Sequence, residues 1–289
     1  MSPAGPSVPA SRFAPSPTGL PHKGHALSAL TAARIARDLG GRFLLRIEDI
    51  DAQRSRPEFE AAIYEDLAWL GLEWETPPRR QSDHLDAYAA ALERLRERGL
   101  VYRCFKTRAE VLADIGRAPH ETPPAYVGAP LAAAEEAARL EDGEAFAWRL
   151  SMTAARETLG QDWDALNFVE DGRGPAGEHG PQRARPELSG DVILGRKGLG
   201  VAYHLAVVVD DALQGVTHVV RGQDLFEAVP VQRLLQALLG LPTPTYHHHA
   251  LLLGPDGKRL AKRDRAETLR ALRASGVTPQ ALKAELGFG

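Results

Sequence analysis

The chain has 289 residues, of which 44% are hydrophobic and 25% are charged, and this globular composition excludes a protein that is disordered as a whole. Its 35 Lys and Arg residues are balanced by 38 Asp and Glu residues, so a nucleic-acid partner would have to be held by local basic patches and not by overall charge. Cys104 is the only cysteine, which excludes an internal disulfide and is typical of a reducing cytoplasm, and no apolar run approaches membrane-spanning length.

The N-terminal region contains the first candidate site. Residues 1–11 are rich in Pro, Ala and Ser and predict a flexible leader rather than a signal peptide. Residues 12–25, RFAPSPTGLPHKGH, then lead from a short strand into an amphipathic helix predicted over residues 26–39. His22 and His25 flank Gly24, which leaves the main chain open to a flat base, and the N–H groups of a helix start favour an anion. This stretch predicts a nucleotide-phosphate site.

The next elements predict a parallel α/β sheet. Residues 42–47 read as a buried strand that delivers Glu48, Asp49 and Asp51 at its carboxyl end. In such sheets ligands bind beyond the carboxyl ends of the strands, where the histidine turn would also lie. Asp49 and Asp51 are explained equally well as a polar strand exit. Helices predicted over residues 57–70 and 83–98 would form scaffold.

The middle of the chain loses the alternation of strands and helices. Residues 103–186 are rich in Gly, Pro and Ala, which indicates a separate inserted subdomain. Residues 172–190, with Arg173, Arg183 and Arg185, predict a mobile loop.

Two further strands are predicted in the second half. Residues 200–211 form a β-branched, apolar run that predicts a central strand ending in two aspartates, and residues 217–222 predict a second strand with Arg221 near its end. Tyr203 and Arg221 are therefore candidates for one pocket. The alternative is that Tyr203 packs in the core and Arg221 pairs with Asp210.

The last part of the chain supplies a helix, a strand and a basic loop. A helix is predicted over residues 229–239 and a strand over residues 245–253. The three consecutive histidines 247–249 would alternate faces on that strand and so could not converge on one metal ion. Residues 254–264 form a glycine-rich, basic loop, and two short helices are predicted over residues 267–274 and 279–286.

Three charged residues suit a dicarboxylic amino acid. The guanidinium groups of Arg12 and Arg221 can engage carboxylates, and Glu48 can hold an α-ammonium group. Which arginine binds which carboxylate stays open. Glutamine would leave one cation poorly paired at a cost of about 1.5–3 kcal/mol, so the set favours glutamate.

Two of these stretches resemble the signature motifs of class I aminoacyl-tRNA synthetases. Residues 22–25 resemble the HIGH motif, with Lys23 in place of the usual Ile, and residues 12–19 are close to the opening of the bacterial glutamyl-tRNA synthetase family. Residues 259–263 resemble the KMSKS loop, with Ala261 in place of the serine. The short chain further resembles truncated paralogues that activate glutamate with ATP and attach it to queuosine at the wobble position of tRNA(Asp).

The resemblance implies a domain plan. It places the two halves of a Rossmann-type catalytic domain at residues 12–102 and 187–265, around a connective insertion at 103–186 that handles the RNA acceptor end. Residues 266–289 would be C-terminal helices, and no anticodon-binding domain is expected. The implied partners are L-glutamate, ATP and queuosine-bearing tRNA(Asp), with Mg²⁺ as cofactor, and we expect a cytoplasmic monomer.

The resemblance also assigns roles to residues. Those matching the glutamate site are Arg12, Ala14, Ser16, Glu48, Tyr203 and Arg221. Those matching the ATP site are His22, Gly24, His25, Arg259, Leu260 and Lys262, of which His22, His25 and Lys262 are the candidate catalytic residues.

Some relatives hold zinc in the insertion through cysteines and a tyrosine. Cys104 falls at the first ligand position, but Lys106 stands where a second cysteine would be needed, so we expect no zinc. His120, Tyr126 and His179 are better explained as scattered surface residues.

Three other functions are compatible with the residues. A compact glutamyl-tRNA synthetase would esterify the 3′ end of tRNA. A nucleotidyltransferase that does not act on tRNA would share the histidine turn but would not select glutamate. A catalytically silent RNA- or amino-acid-binding protein would show no pyrophosphate exchange.

Overall fold

The computed structural model describes residues 8–107, 109–111, 125–198, 200–252 and 267–289. Its strands, in chain order, are β1 (Ala10–Phe13), β2 (Arg42–Ile47), β3 (Glu75–Arg80), β4 (Val101–Cys104), β5 (Ala147–Leu150), β6 (Asn167–Glu170), β7 (Gly180–Arg183), β8 (Ile193–Arg196), β9 (Gly200–Val201), β10 (His218–Gly222) and β11 (Thr245–His249).

The α-helices of the same residues are α1 (Lys23–Asp38), α2 (Pro57–Trp69), α3 (Leu85–Glu97), α4 (Ala133–Glu141), α5 (Met152–Leu159), α6 (Tyr203–Leu213), α7 (Val229–Leu239), α8 (Leu269–Ala274) and α9 (Pro279–Glu285). None of the helices in these residues is both long enough and apolar enough to cross a membrane.

The central layer is a sheet with the order β3-β2-β1-β10-β11-β6-β7. Its neighbours are parallel except for β7, which is antiparallel to β6. The predicted α/β fold with a parallel sheet is therefore confirmed. Because β1, β2 and β10 run side by side in one direction, their carboxyl ends share one edge, and that edge forms the candidate site.

The apolar run predicted as a central strand is a helix instead. Only residues 200–201 of that run are a strand, and Tyr203–Leu213 form α6, which packs against α3 and α7 and buries every residue from 205 to 211. A helix that is apolar on all sides leaves no polar face to reveal its period, so the run looked like a buried strand. As a consequence, Asp210 and Asp211 approach the sheet from a helix.

The small second sheet has the order β4-β5-β8-β9 and is antiparallel. It does not coincide with the predicted insertion, residues 103–186, because β6 and β7 lie within that range but join the large sheet, whereas β8 and β9 lie beyond it. The prediction of a mobile loop at residues 172–190 is wrong in part. Strand β7 and a 3₁₀ turn at Pro186–Ser189 lie there, and Pro181 is tolerated because β7 is an edge strand.

Several element boundaries differ from the predicted ones. Residues 10 and 11 of the predicted leader belong to β1, and α1 begins at Lys23 rather than at residue 26. Leu39, the last residue of the predicted helix, caps the end of α1 and is 44% exposed. Strand β11 ends at His249, so the strand predicted over 245–253 is shorter.

Candidate active site

A single cleft at the carboxyl ends of β1, β2 and β10 brings the predicted site residues together. It has a volume of about 660 Å³, large enough for a small-molecule ligand. The predicted residues that line it are Arg12, Ala14, Ser16, His22, Gly24, His25, Glu48, Tyr203 and Arg221. The other predicted residues, Arg259, Leu260 and Lys262, lie outside the described residues, as do Ala261 and His120.

The two histidines cap the first turn of α1. The Nδ1 atom of His22 accepts a hydrogen bond from the backbone N–H of Gly24 at 3.1 Å, and the Nδ1 atom of His25 accepts one from the backbone N–H of His22 at 3.1 Å. A ring nitrogen that accepts must be unprotonated, so each neutral ring carries its hydrogen on Nε2. The turn therefore presents two imidazole N–H donors beside a helix N-terminus, a combination that suits an anion.

Gly24 provides the space for this arrangement. A Cβ atom at position 24 would lie 2.9 Å from Cε1 of His22, so the imidazole ring packs directly against the glycine. The His22 ring thus fills the space that a side chain at position 24 would take, and a base lying against the main chain here stays a prediction. The rings of His22 and His25 are 4.0 Å apart between centroids.

Arg12 lines the cleft but is already paired. Its Nε atom donates to Asp211 at 3.1 Å and its Nη1 atom donates to the carbonyl of Val220 at 3.1 Å. Nothing in the amino-acid sequence indicates Asp211 as its partner, because the apolar run that contains Asp211 predicts a strand.

A buried row of alternating charges, the charge ladder, runs from Arg12 through Asp211 and Arg46 to Glu48. Arg46 donates to Asp211 at 2.7 Å and to Glu48 at 3.2 Å, and its side chain is 0% exposed. Burial alone would raise the pKa of Asp211, but the Arg12 and Arg46 guanidinium groups outweigh it and lower that pKa. Burial raises the pKa of Glu48 by more than the positive charges of Arg46 and Arg12 lower it, so the net pKa is raised. Glu48 is thus a carboxylate at the cleft that a further cation would stabilise.

Arg221 and Tyr203 share the cleft, as the sequence predicted. The Nη1 atom of Arg221 donates to the hydroxyl of Tyr203 at 3.3 Å. The alternative pairing of Arg221 with Asp210 is not observed, because Asp210 accepts hydrogen bonds from three other side chains, namely Arg79, Gln81 and Tyr88. The Nη2 atom of Arg221 has no hydrogen-bond partner among the described residues.

The three consecutive histidines alternate faces on β11. His248 is buried, and His249 lines the cleft, with its Nε2 atom 2.8 Å from Oγ of Ser28. Within the described ranges no group of three or more His, Cys, Asp or Glu side chains could hold a metal ion. Cys104 is buried and unbonded to another cysteine.

Sequence reasoning missed His249, Ser28 and Asp224, which also line the cleft. His249 and Asp224 come at or just after the carboxyl ends of β11 and β10. The rule that ligands bind at such strand ends could have identified both of them. Ser28 lies on α1 one turn beyond the histidines, and no pattern in the sequence distinguishes it.

A family model and the sequences of known proteins both relate this chain to tRNA synthetases. Residues 10–287 match the family model described as tRNA synthetases class I (E and Q), catalytic domain. A glutamyl-Q tRNA(Asp) synthetase from Rhodobacter capsulatus is 47% identical, with 96% of this chain and 99% of that protein covered. A glutamyl-Q tRNA(Asp) synthetase from Symbiobacterium thermophilum is 43% identical, with 96% and 85% covered.

A solved structure has the same architecture. The crystal structure of a glutamate tRNA ligase from Elizabethkingia meningosepticum in complex with its amino acid superimposes with a TM-score of 0.78 at 27% identity. The match covers 97% of this chain, which spans 60% of the length of that ligase.

Proposed function

Because the chain belongs to the class I tRNA synthetases for glutamate and glutamine, we propose that it activates L-glutamate with ATP and transfers it to queuosine in tRNA(Asp). The observation that carries the proposal is the cleft itself. One cavity joins imidazole donors at a helix N-terminus, which suit phosphates, to Glu48 and Arg221, which suit an amino acid with an acidic side chain.

The first step is formation of glutamyl-adenylate. The α-carboxylate of glutamate attacks the α-phosphorus of ATP, a new carboxyl O–P bond forms, and the bond to the β-phosphate breaks to release pyrophosphate. No protein nucleophile is required. His22 and His25 donate through Nε2 to phosphate oxygens whose charge grows in the transition state, so catalysis rests on positioning and electrostatics.

The glutamate end of the cleft is proposed to use Glu48 for the α-ammonium group, with Ala14, Ser16 and Tyr203 beside it. Nη2 of Arg221 is buried and has no hydrogen-bond partner in the described part of the chain, whereas the nitrogens of Arg12 are directed to Asp211 and Val220. We therefore expect Arg221 to form the stronger contact with a substrate carboxylate, and Arg12 to contribute mainly a positive field.

The ATP end is proposed to include Arg259, Leu260 and Lys262. Described residues on both sides of that segment lie at the cleft, since Leu252 lines it and Thr268 forms a β-bridge with His22. This supports the assignment of Lys262 as the cation that stabilises the negative charge developing on the departing pyrophosphate. Replacing Lys262 with Ala is expected to lower turnover strongly while glutamate binding survives.

Mg²⁺ fits this cleft as an ion held chiefly by the phosphates. Mg²⁺ commonly keeps several waters and binds one or two carboxylates together with substrate phosphates, and Asp224 lines the cleft. When bound, it would neutralise phosphate charge in addition to the histidine donors.

The second step is transfer to RNA. A hydroxyl of the queuosine base attacks the carbonyl carbon of the mixed anhydride and an ester bond forms. AMP leaves with the bonding electrons, and the hydroxyl proton passes to its phosphate group. The relatives named glutamyl-Q tRNA(Asp) synthetase support this acceptor, since this chain covers 99% and 85% of their lengths. We expect a monomer to carry out both steps.

The test uses the purified protein with ATP, labelled glutamate and tRNA(Asp) that carries or lacks queuosine. We expect pyrophosphate exchange with glutamate in the absence of RNA, and label transfer only to the queuosine-bearing tRNA. Digestion of the labelled product with ribonuclease T1 should leave the label on the fragment that contains the anticodon. Label on the 3′-terminal fragment would instead indicate esterification of the 3′ end, as in a glutamate tRNA ligase. Exchange that does not select glutamate would refute the proposed substrate.

A further inference from the structure

Arg221 is held by contacts that the proposed chemistry does not explain. It lies at the end of β10, is 5% exposed, and lines the cleft. Its Nε atom donates to Nε2 of His248 at 3.1 Å, and its guanidinium carbon lies 5.4 Å from the ring centroid of Tyr246. The direction in which its remaining nitrogen, Nη2, can meet a ligand is therefore set by His248 together with the hydroxyl of Tyr203, to which Nη1 donates at 3.3 Å.

The contact with Arg221 fixes the tautomer of His248. A guanidinium N–H can only donate, so Nε2 of His248 must carry a lone pair and the neutral ring must carry its hydrogen on Nδ1. That Nδ1 atom lies 2.6 Å from Oε2 of Glu170 and donates to it. Burial lowers the pKa of His248, in keeping with the neutral form.

Glu170 is itself locked by the main chain. Its Oε1 atom accepts from the backbone N–H of His248 at 2.8 Å and from that of Gly172 at 2.9 Å. Its side chain is 0% exposed, and β6, which it ends, pairs with β11. Both oxygens are thus committed, and the carboxylate cannot turn away from His248.

The packing of the His248 ring does not by itself determine which ring nitrogen carries the hydrogen. The His248 ring stacks on Tyr246 with an interplanar angle of 8° and meets the edge of Phe226. Either tautomer would fill that space equally well. The two polar contacts fix the tautomer instead, because Glu170 accepts the hydrogen on Nδ1 and Arg221 requires a lone pair on Nε2.

We propose that Glu170 and His248 are positioning residues of the cleft: Glu170 keeps the hydrogen of His248 on Nδ1, and the lone pair on Nε2 orients Arg221 toward a carboxylate of the substrate. The inference rests on the proposed function, since it takes glutamate as the ligand that Arg221 meets. It makes selection of an acidic amino acid depend on two residues outside the cleft lining, Glu170 and His248.

The decisive variant is Glu170→Gln. The amide oxygen can still accept from both backbone N–H groups, so the local fold is retained. The amide nitrogen, however, donates to Nδ1 of His248, which moves the ring hydrogen to Nε2 and sets it against the Nε–H of Arg221. We expect the KM for glutamate in ATP–pyrophosphate exchange to rise roughly tenfold or more, as for loss of one charged hydrogen bond, with the KM for ATP changed less than about twofold.

The matched control is Asp171→Asn, which also replaces a carboxylate with the corresponding amide, at the next residue in the chain. The Asp171 side chain is 57% exposed and lies 3.5 Å from His247 instead of His248, so neither KM should change. A conservative substitution, His248→Gln, can accept from Arg221 and donate to Glu170, whereas His248→Leu can do neither. The glutamine variant should therefore keep a lower KM for glutamate than the leucine variant.

A spectroscopic measurement tests the relay independently of activity and of variant folding. Ring ¹⁵N chemical shifts of the unmodified protein should show His248 with a protonated Nδ1 and an unprotonated Nε2. A hydrogen on Nε2, or a folded Glu170→Gln variant with an unchanged KM for glutamate, would overturn the relay while leaving the proposed function intact. Absence of glutamate-dependent exchange in the unmodified protein would overturn both.

Discussion

Asp211 holds together two buried cations, and its removal should cost more stability than any exposed charge. Its carboxylate lies 3.1 Å from Nε of Arg12 and 2.7 Å from Nη1 of Arg46, and its side chain is 8% exposed. Together with Glu48, Asp210 and Arg79, these residues form a set of three cations and three anions, in which Asp210 lies 3.7 Å from Nε of Arg46 and 2.7 Å from Nε of Arg79. The variant Asp211→Asn keeps the shape of the side chain but leaves one positive charge in excess.

The expected loss in the free energy of unfolding follows from these distances. Two unit charges about 4 Å apart interact by about 4 kcal/mol at an effective dielectric constant of about 20. Breaking a buried ion pair by removing one partner costs about 3–5 kcal/mol, because the charge that remains has lost its solvation. With a urea m value of about 3 kcal/mol/M, the unfolding midpoint should fall by about 1–2 M.

The assay is urea unfolding followed by tryptophan fluorescence at pH 7, where Asp211 is ionised because Arg12 and Arg46 lower its pKa. The control is Asp38→Asn, since the Arg37–Asp38 pair has side chains 76% and 59% exposed and should contribute less than about 1 kcal/mol. The double variant Arg12→Gln with Asp211→Asn restores the charge balance and should recover part of the loss. A loss no larger than that of the control would refute the ladder as a source of stability.

Three further predictions follow from the geometry. Gly24→Ala places a Cβ atom 2.9 Å from Cε1 of His22, so the ring must move, and kcat for pyrophosphate exchange should fall on the order of tenfold while the KM for glutamate stays within about twofold. The pKa of Glu48 is raised above that of a free carboxyl group, so Glu48 loses its negative charge as the pH falls through this raised pKa. The KM for glutamate should rise as that charge is lost. Glu48→Gln should remove this pH dependence. Burial raises the pKa of Asp66 to about 6, so the folded state binds a proton more tightly than the unfolded state does. The folded state therefore loses stability as the pH rises through the pKa of the unfolded carboxyl group and then that of the folded one. Asp66→Asn should stabilise the protein by about 1–3 kcal/mol at pH 8 but not at pH 4, measured by thermal unfolding at both pH values.

Local sequence determined much of this protein. The turn from Arg12 to His25, the strand before Glu48 and the strand before Arg221 could each be recognised because their signals lie within a few adjacent residues. The general rule that parallel strands present their carboxyl ends at one edge was then sufficient to place these residues in one cleft, which the structure bears out.

Tertiary structure alone decided how the charges in that cleft are paired. Helix α6 is apolar on all sides, so no period in the sequence distinguished it from a strand, and Asp211 could not be identified as the partner of Arg12. The contact of His248 with Glu170 joins residues 78 positions apart on neighbouring strands. A hydrogen bond between distant residues depends on strand order and register, and these are set by how the whole sheet buries its apolar faces rather than by any single segment.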